Sequence, residues 1–103
     1  GIVGLETSAA LTYTSLVKTG VLTVMDMAEK MSYNPAKILG LEDKGSISEG
    51  KTADITIFDP RRTYKIDKNT FVSKGKNTPF DGYEVTGETV YTLVDGRVVY
   101  ERR

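Results

Sequence analysis

The chain has 103 residues and an apolar content of 39%, and its 14 basic and 14 acidic side chains leave no formal net charge. This length suits one small domain, or part of a larger one, with a modest core. The charge balance, with no basic run interleaved with aromatic residues, argues against nucleic-acid binding. No apolar run reaches the roughly 18 residues of a membrane span, so no membrane association is expected.

Cysteine and histidine are both absent. No disulfide framework is therefore possible, and we predict a cytoplasmic location, with which a cysteine-free chain is compatible. The usual zinc ligands, the usual general base and the usual activated nucleophile are missing as well. Since no paired Asp/Glu motif stands out either, we predict no catalytic and no metal-binding residue in this chain.

The chain opens with a short apolar segment, residues 1–6, that contains two glycines. Glycines of this kind favour a close backbone approach or a loop. On the residues alone, a ligand contact and a plain lead into a helix are equally open readings of this segment.

Two helices are predicted next. Thr7 or Ser8 begins the first helix, and Gly20 ends it. Its apolar face is predicted to consist of Leu5, Ala9, Tyr13, Leu16 and Val17, with Thr12, Thr14 and Ser15 on the other sides. The second helix begins at Thr23, with Asp26 in a capping-box position, and buries Val24, Met27, Ala28 and Met31.

Residues 34–59 contain more helix-capping and turn-forming residues than any other stretch of the sequence. Asn34 and Pro35 predict the start of a short third helix, and Gly40 predicts its left-handed end. After this stretch, residues 54–58 predict a strand that stops at Pro60.

The strand signals continue to the end of the chain. Residues 61–70 alternate weakly, as an edge strand would. Residues 71–81 predict a long surface loop anchored by two phenylalanines, Phe71 and Phe80. A phosphate-binding nest around Lys74, Lys76 and Asn77 is the less favoured reading, because the spacing matches no P-loop.

The clearest signal is a hairpin, residues 90–94 and 97–101 joined by Asp95-Gly96, which predicts a type I′ turn. Its strands are apolar on both faces, so we predict a sheet covered on both sides. Part of the covering material is expected to lie outside this chain or in another copy of it.

Several of these residues together resemble the amidohydrolase superfamily, in particular the C-terminal region of the dihydroorotase family. The resemblance is carried by the runs NPA at residues 34–36, LGL at 39–41 and SKGKNTPF at 73–80, and by the Asp95-Gly96 hairpin. It implies an α+β chain: residues 1–45 would hold the last helices of a (β/α)8 barrel, and residues 46–103 strands of a small composite β-sandwich.

The resemblance also implies a function. A dihydroorotase cyclises N-carbamoyl-L-aspartate reversibly to dihydroorotate in pyrimidine synthesis, with zinc and an aspartate that moves protons. In the family the metal ligands and this aspartate lie upstream, so the chain is predicted to be an inactive C-terminal fragment. Only Gly1, by its position, resembles part of the family's backbone contact to substrate.

Alternatives remain open on the sequence. The chain could belong to a hydantoinase, allantoinase or dihydropyrimidinase, to a non-catalytic dihydroorotase-like subunit, or to a stand-alone interaction domain. The implied partners are a small-molecule substrate, the rest of its own chain, further copies in a homo-oligomer, and aspartate transcarbamoylase.

Overall fold

A computed structural model describes residues 1–102. Helical segments come first, and within these residues three strands form an antiparallel sheet in the order β1-β2-β3, so the chain is α+β as predicted. The elements are α1 (Ser8–Thr12), a π-helical turn (Tyr13–Val17), α2 (Val24–Ala28), a second π-helical turn (Glu29–Tyr33), α3 (Asn34–Ile38), β1 (Ile55–Lys65), a 3-10 turn (Lys68–Thr70), β2 (Glu84–Val94) and β3 (Arg97–Glu101). None of the described helices has the length and apolar character needed to cross a bilayer.

Local caps set several helix ends where the sequence predicts them. The Asp26 N–H donates to Thr23 Oγ1 and the Thr23 N–H donates to Asp26 Oδ2, both at 3.0 Å, which is a complete capping box. Gly20 and Gly40 end their helical runs with φ of 86° and 71°. After Gly40, the Leu41 N–H donates at 2.8 Å to the carbonyl five residues back, which closes a Schellman motif.

α3 begins at Asn34 with Pro35 in its first turn, as predicted, but Asn34 is not the cap of this helix. Asn34 has helical φ and ψ of −64° and −45°, and its N–H donates to the Glu29 carbonyl, five residues back. Pro35 has no N–H, and its ring crowds the carbonyl four residues earlier. The wider π-helical turn in front of Pro35 accommodates both effects. Residues 24–38 therefore form one continuous helical run.

The first helical run, residues 8–17, also departs from the prediction. Ala10 is buried, whereas Leu5 on the predicted apolar face is exposed. Thr14, predicted to lie away from the core, accepts the Thr86 N–H at 2.8 Å and donates to the Thr86 carbonyl at 3.0 Å. A π-helical turn holds more residues than an α-helical turn, so the 3.6-residue pattern misassigns the face there.

The start of this run is also only partly as predicted. Thr7 occupies the N-cap position, but its side chain accepts no capping hydrogen bond. Its hydroxyl instead donates to the Gly4 carbonyl at 3.3 Å.

β1 continues through Pro60, where the sequence predicts a strand end. The ladder pairs Asp59 with Glu88 and next pairs Thr63 with Thr86, with a register shift between them. The intervening residues of β1 bulge out of the ladder, so Pro60 loses no ladder bond by lacking an N–H. β1 lies at an edge of the sheet. The weak alternation of residues 61–70 predicts an edge strand, and residues 61–65 belong to β1.

β2 starts at Glu84, well before the predicted start at Val90. Gly87 within it has a φ of 107°. A Cβ at this position would lie 2.9 Å from Cε1 of Phe58 and 3.2 Å from Cδ1 of Tyr13, and these two rings pack at a centroid distance of 5.6 Å. The glycine therefore lets the first helical run and both strands meet closely.

The hairpin between β2 and β3 has the predicted turn. Asp95 and Gly96 have φ of 50° and 76°, as a type I′ turn requires. The Asp95 N–H donates to Asp54 Oδ1 at 2.8 Å, and the Gly96 N–H donates to the Ala53 carbonyl at 3.0 Å. Lys44 Nζ lies 2.7 Å from Asp54 Oδ2. Hydrogen bonds from Lys44 and from the Asp95 backbone lower the pKa of Asp54.

The core joins the first helical run to the sheet and to the loop between β1 and β2. Its buried members are Ala10, Ile66, Phe71 and Val85. By contrast, the side chains of β3 are exposed along the whole strand within residues 1–102. That covering material lies outside this chain or in another copy of it stays a prediction. The predicted division of the chain at residue 45 stays a prediction.

Candidate functional site

The candidate site is built from two stretches that are far apart in sequence, residues 1–6 and the 71–80 loop (residues 71–80). Gly1, the one residue singled out for substrate contact, is exposed, and a Cβ built on it would meet nothing within 4 Å. Its carbonyl accepts a hydrogen bond from Nδ2 of Asn77 at 2.7 Å. The loop therefore holds Gly1 through its carbonyl.

Asn77 makes a second bond to the same segment. Its own carbonyl accepts the Val3 N–H at 2.9 Å. Close packing accompanies these bonds, since a Cβ on Gly75 would lie 3.0 Å from Cγ2 of Val3. The loop and residues 1–3 thus run side by side at contact distance.

Glu6 fixes the other end of the loop. Its Oε1 accepts the Val72 N–H and its Oε2 accepts the Ser73 N–H, both at 3.1 Å. A carboxylate that accepts two adjacent backbone N–H groups forms charge-assisted bonds, which are stronger than neutral ones. Residues 1–6 are therefore anchored to the loop at both ends.

The loop itself is closed from within. Lys76 Nζ donates to the Phe71 carbonyl, Phe71 is buried, and Phe80 packs against the core. The prediction of a surface loop anchored by Phe71 and Phe80 fits this arrangement. The less favoured phosphate nest does not, because the polar groups of Lys76 and Asn77 already bind backbone carbonyls.

An open groove of about 1060 Å³ is lined by residues of the 2–10 segment and of the sheet. Glu88 on its wall accepts a hydrogen bond from Arg62 Nε at 2.6 Å, and Arg102 Nε lies 3.4 Å from its other oxygen. Burial raises the pKa of the neighbouring Tyr64. Both oxygens of Glu88 face a guanidinium group.

Within residues 1–102, no group of three or more His, Cys, Asp and Glu side chains could hold a metal ion. The sequence reasoning missed Glu6 and Asn77 as a pair. Glu6 ends an otherwise apolar segment and Asn77 lies between lysine and threonine, and nothing in those local patterns indicates that each binds the segment of the other.

The fold and the paired segments match a known class of hydrolase. A model of the amidohydrolase family matches residues 1–99. The chain belongs to the amidohydrolase family.

Two curated relatives are similar to almost the whole of this chain. The chain is 49% identical over 102 residues to a dihydroorotase of Ligilactobacillus salivarius and 51% identical over 102 residues to a dihydroorotase of Geobacter metallireducens. Each alignment covers 99% of this chain and 24% of the relative. The chain thus spans about a quarter of the length of the curated relatives it matches.

Solved structures that resemble this chain are named hydantoinase or dihydropyrimidinase instead of dihydroorotase. An L-hydantoinase (dihydropyrimidinase) from Arthrobacter aurescens superposes with a TM-score of 0.92 at 41% identity, over 98% of this chain and 23% of that one. A D-hydantoinase (dihydropyrimidinase) from Thermus sp. gives 0.91 at 30% identity, over 98% and 22%.

Proposed function

We propose that this chain forms part of a dihydroorotase, which interconverts N-carbamoyl-L-aspartate and dihydroorotate in de novo pyrimidine synthesis. The observation that carries the proposal is the identity of 49% and 51% to two proteins named dihydroorotase, across 99% of the chain. In the hydrolytic direction, a ring C–N bond breaks, the carbonyl carbon gains hydroxide and the nitrogen gains a proton.

Zinc belongs to the proposal for the whole enzyme, where it would polarise the carbonyl and activate water. The residues of this chain do not fit a zinc site: histidine and cysteine are absent, and residues 1–102 hold no suitable cluster of carboxylates. We therefore place the metal ligands and the proton-transferring aspartate outside these residues. The 103 residues alone are proposed to be inactive.

The role proposed for this chain is to present backbone at the substrate. Gly1 is suited to it, because a residue without a side chain lets a ligand approach closely. With its carbonyl bound to Asn77, the nitrogen of Gly1 is the group left to meet a substrate oxygen. In a longer chain this nitrogen would be a peptide N–H donor.

The wider architecture is proposed on the same grounds. Residues 1–45 would complete a (β/α)8 barrel, and residues 46–103 would contribute to a small β-sandwich. A cytoplasmic homo-oligomer, with or without aspartate transcarbamoylase, remains a prediction from the family resemblance.

A hydantoinase or dihydropyrimidinase is the second candidate. It is favoured by the superposition on the Arthrobacter aurescens protein, with a TM-score of 0.92 and 41% identity. The lower identity ranks this candidate behind dihydroorotase.

The test uses the complete protein, meaning the product of the whole reading frame that contains this sequence. With zinc added, it should hydrolyse dihydroorotate in preference to hydantoin, dihydrouracil and allantoin, and the 103-residue chain should give no turnover above a no-protein control. Preference for hydantoin or dihydrouracil would replace the first proposal by the second candidate.

The reading frame itself supplies an independent check. We expect a His-x-His pair and further histidines before Gly1. A start methionine directly before Gly1 would instead favour a stand-alone interaction domain and would contradict both enzyme proposals.

A further inference from the structure

Two hydrogen bonds made by Asn77 restrain the backbone on both sides of Ile2. Its side-chain amide binds the Gly1 carbonyl at 2.7 Å and its main-chain carbonyl binds the Val3 N–H at 2.9 Å. These two groups belong to consecutive peptide units of residues 1–3. A single loop residue therefore restrains both peptide planes next to Ile2, and the first of these planes carries the Gly1 carbonyl.

The donor in the first bond is chemically determined. A backbone carbonyl accepts hydrogen bonds and cannot donate them, so the side chain of Asn77 must turn its NH₂ group toward Gly1. A carboxylate of the same shape could not make this contact, because it only accepts. The interaction therefore distinguishes asparagine from aspartate, which are otherwise isosteric.

The loop cannot easily carry Asn77 away from this position. Glu6 binds the loop at Val72 and Ser73, and Phe71 at its start is buried in the core. The ammonium group of Lys76, the residue directly before Asn77, donates to the Phe71 carbonyl. Asn77 thus stands on a loop that is anchored at its start and closed on itself.

We infer that Asn77 is a positioning residue for the substrate contact at Gly1, so that the 71–80 loop supports cyclic-amide binding without touching the substrate. The inference rests on the proposed function. If Gly1 presents its nitrogen to a substrate oxygen, the position of the Gly1 backbone decides whether that contact forms. Asn77 holds that backbone from its carbonyl side, through its bonds to Gly1 and Val3.

The test compares variants of the complete protein. Asn77→Ala and Asn77→Asp should each raise KM for dihydroorotate about tenfold, a change of about 1.4 kcal/mol, with kcat within about twofold of the parent. A change in KM at constant kcat reports lost ground-state and transition-state binding alike. The increase in KM for Asn77→Asp should match or exceed the increase for Asn77→Ala, although aspartate preserves the shape of the side chain.

Asn69→Ala is the matched control, because Asn69 is exposed on the 3-10 turn and its side chain makes no hydrogen bond within residues 1–102. It should leave KM unchanged. The melting temperature of each variant is measured alongside. An unchanged KM in both Asn77 variants, or a fall in kcat that follows lost thermal stability, would overturn the inference.

The inference and the proposed function fail in different ways. If the unsubstituted complete protein prefers another cyclic amide, the same variants are measured on that substrate, and the KM criterion is unchanged. If it turns over none of them, the proposed function fails and the inference fails with it. Turnover with a KM indifferent to Asn77 overturns the inference alone.

Discussion

Two regions of this chain differ in whether their apolar side chains are buried. The first helical run, β2 and the 71–80 loop close around a core in which Val85 is 1% exposed. The helical run 24–38 and β3 carry similar residues, yet Ile38 is 84% exposed and Val98 is 57% exposed. The same kind of hydrophobic pattern therefore yields a core only where a partner surface exists within residues 1–102.

This contrast identifies what holds each region in shape. The first region gains free energy from burial, at about 25 cal/mol per Å² of apolar area. The second gains little from burial within residues 1–102 and relies on local devices: a capping box, a Schellman motif and a type I′ turn. Substitutions should accordingly cost most in the first region and least in the second.

The largest effect is expected at Gly87, where the two strands and the first helical run meet. Gly87→Ala combines a φ of 107° with a Cβ 2.9 Å from the Phe58 ring, so we expect a loss of about 2–4 kcal/mol. Gly82→Ala is the matched control, since it has a φ of 82° in open space, and should cost only about 1 kcal/mol. Thermal unfolding of the complete protein measures both. Equal losses would show that close packing at Gly87 contributes nothing.

A direct comparison of the two regions comes from truncating one valine in each. Val85→Ala should cost about 1.5–3 kcal/mol, since it removes buried methyl groups and leaves a cavity. Val98→Ala on the exposed β3 should cost under about 0.5 kcal/mol. Amide hydrogen exchange along β2 and β3 reports both. If the complete protein covers β3, the value for Val98→Ala should rise there but not in the 103-residue chain.

A smaller effect is expected at the start of the helical run 24–38. Thr23→Ala removes the hydroxyl that accepts the Asp26 N–H and should cost about 1 kcal/mol. Thr19→Ala is its control, because the Thr19 hydroxyl only bonds back to the Ser15 carbonyl. Faster amide exchange in residues 24–38 with Thr23→Ala alone is the expected result. No difference between the two variants would mean that the cap does not support this run.

The smallest effect concerns the partly exposed Lys44–Asp54 pair beside the hairpin turn. The pKa of Asp54 is lowered by Lys44 and the Asp95 backbone, so the stability it contributes is present above the unfolded pKa and is lost as pH falls through the folded pKa. The pKa of Lys44 is raised by Asp54, so its contribution is lost only as pH rises through that higher value.

Asp54→Asn should therefore lower the protection of the hairpin amides at neutral pH and flatten its loss below about pH 4. Added salt should reduce the difference from the parent protein, because the pair is partly exposed to solvent. Glu49→Gln removes one negative charge from a turn without an ion pair in residues 1–102 and serves as the control. Identical acid profiles for Asp54→Asn and the parent protein would contradict this account.

Much of the candidate site lay beyond prediction from the sequence. Resemblance alone singles out Gly1, and the sequence predicts residues 71–81 only as a surface loop anchored by Phe71 and Phe80. Their contact joins residues 76 positions apart, and the Glu6 contacts join residues 66 and 67 positions apart. No pattern within either segment encodes such a distance.

By itself, the sequence determined the features that depend on neighbours a few positions away. The Thr23–Asp26 capping box, the left-handed Gly20 and Gly40, and the Asp95-Gly96 turn all formed as predicted. Each is decided by backbone dihedrals and by hydrogen bonds within one or two turns, which the local residues alone specify.

The tertiary structure decided the rest, since it depends on groups that only folding brings together. Pro60 remains in a strand because the bulge against β2 removes the ladder bond that it could not make. Thr14 turns toward the sheet because the Thr86 backbone offers both a donor and an acceptor. Asn77 holds Gly1 because the loop, anchored by Glu6 and by the buried Phe71, lies along residues 1–3.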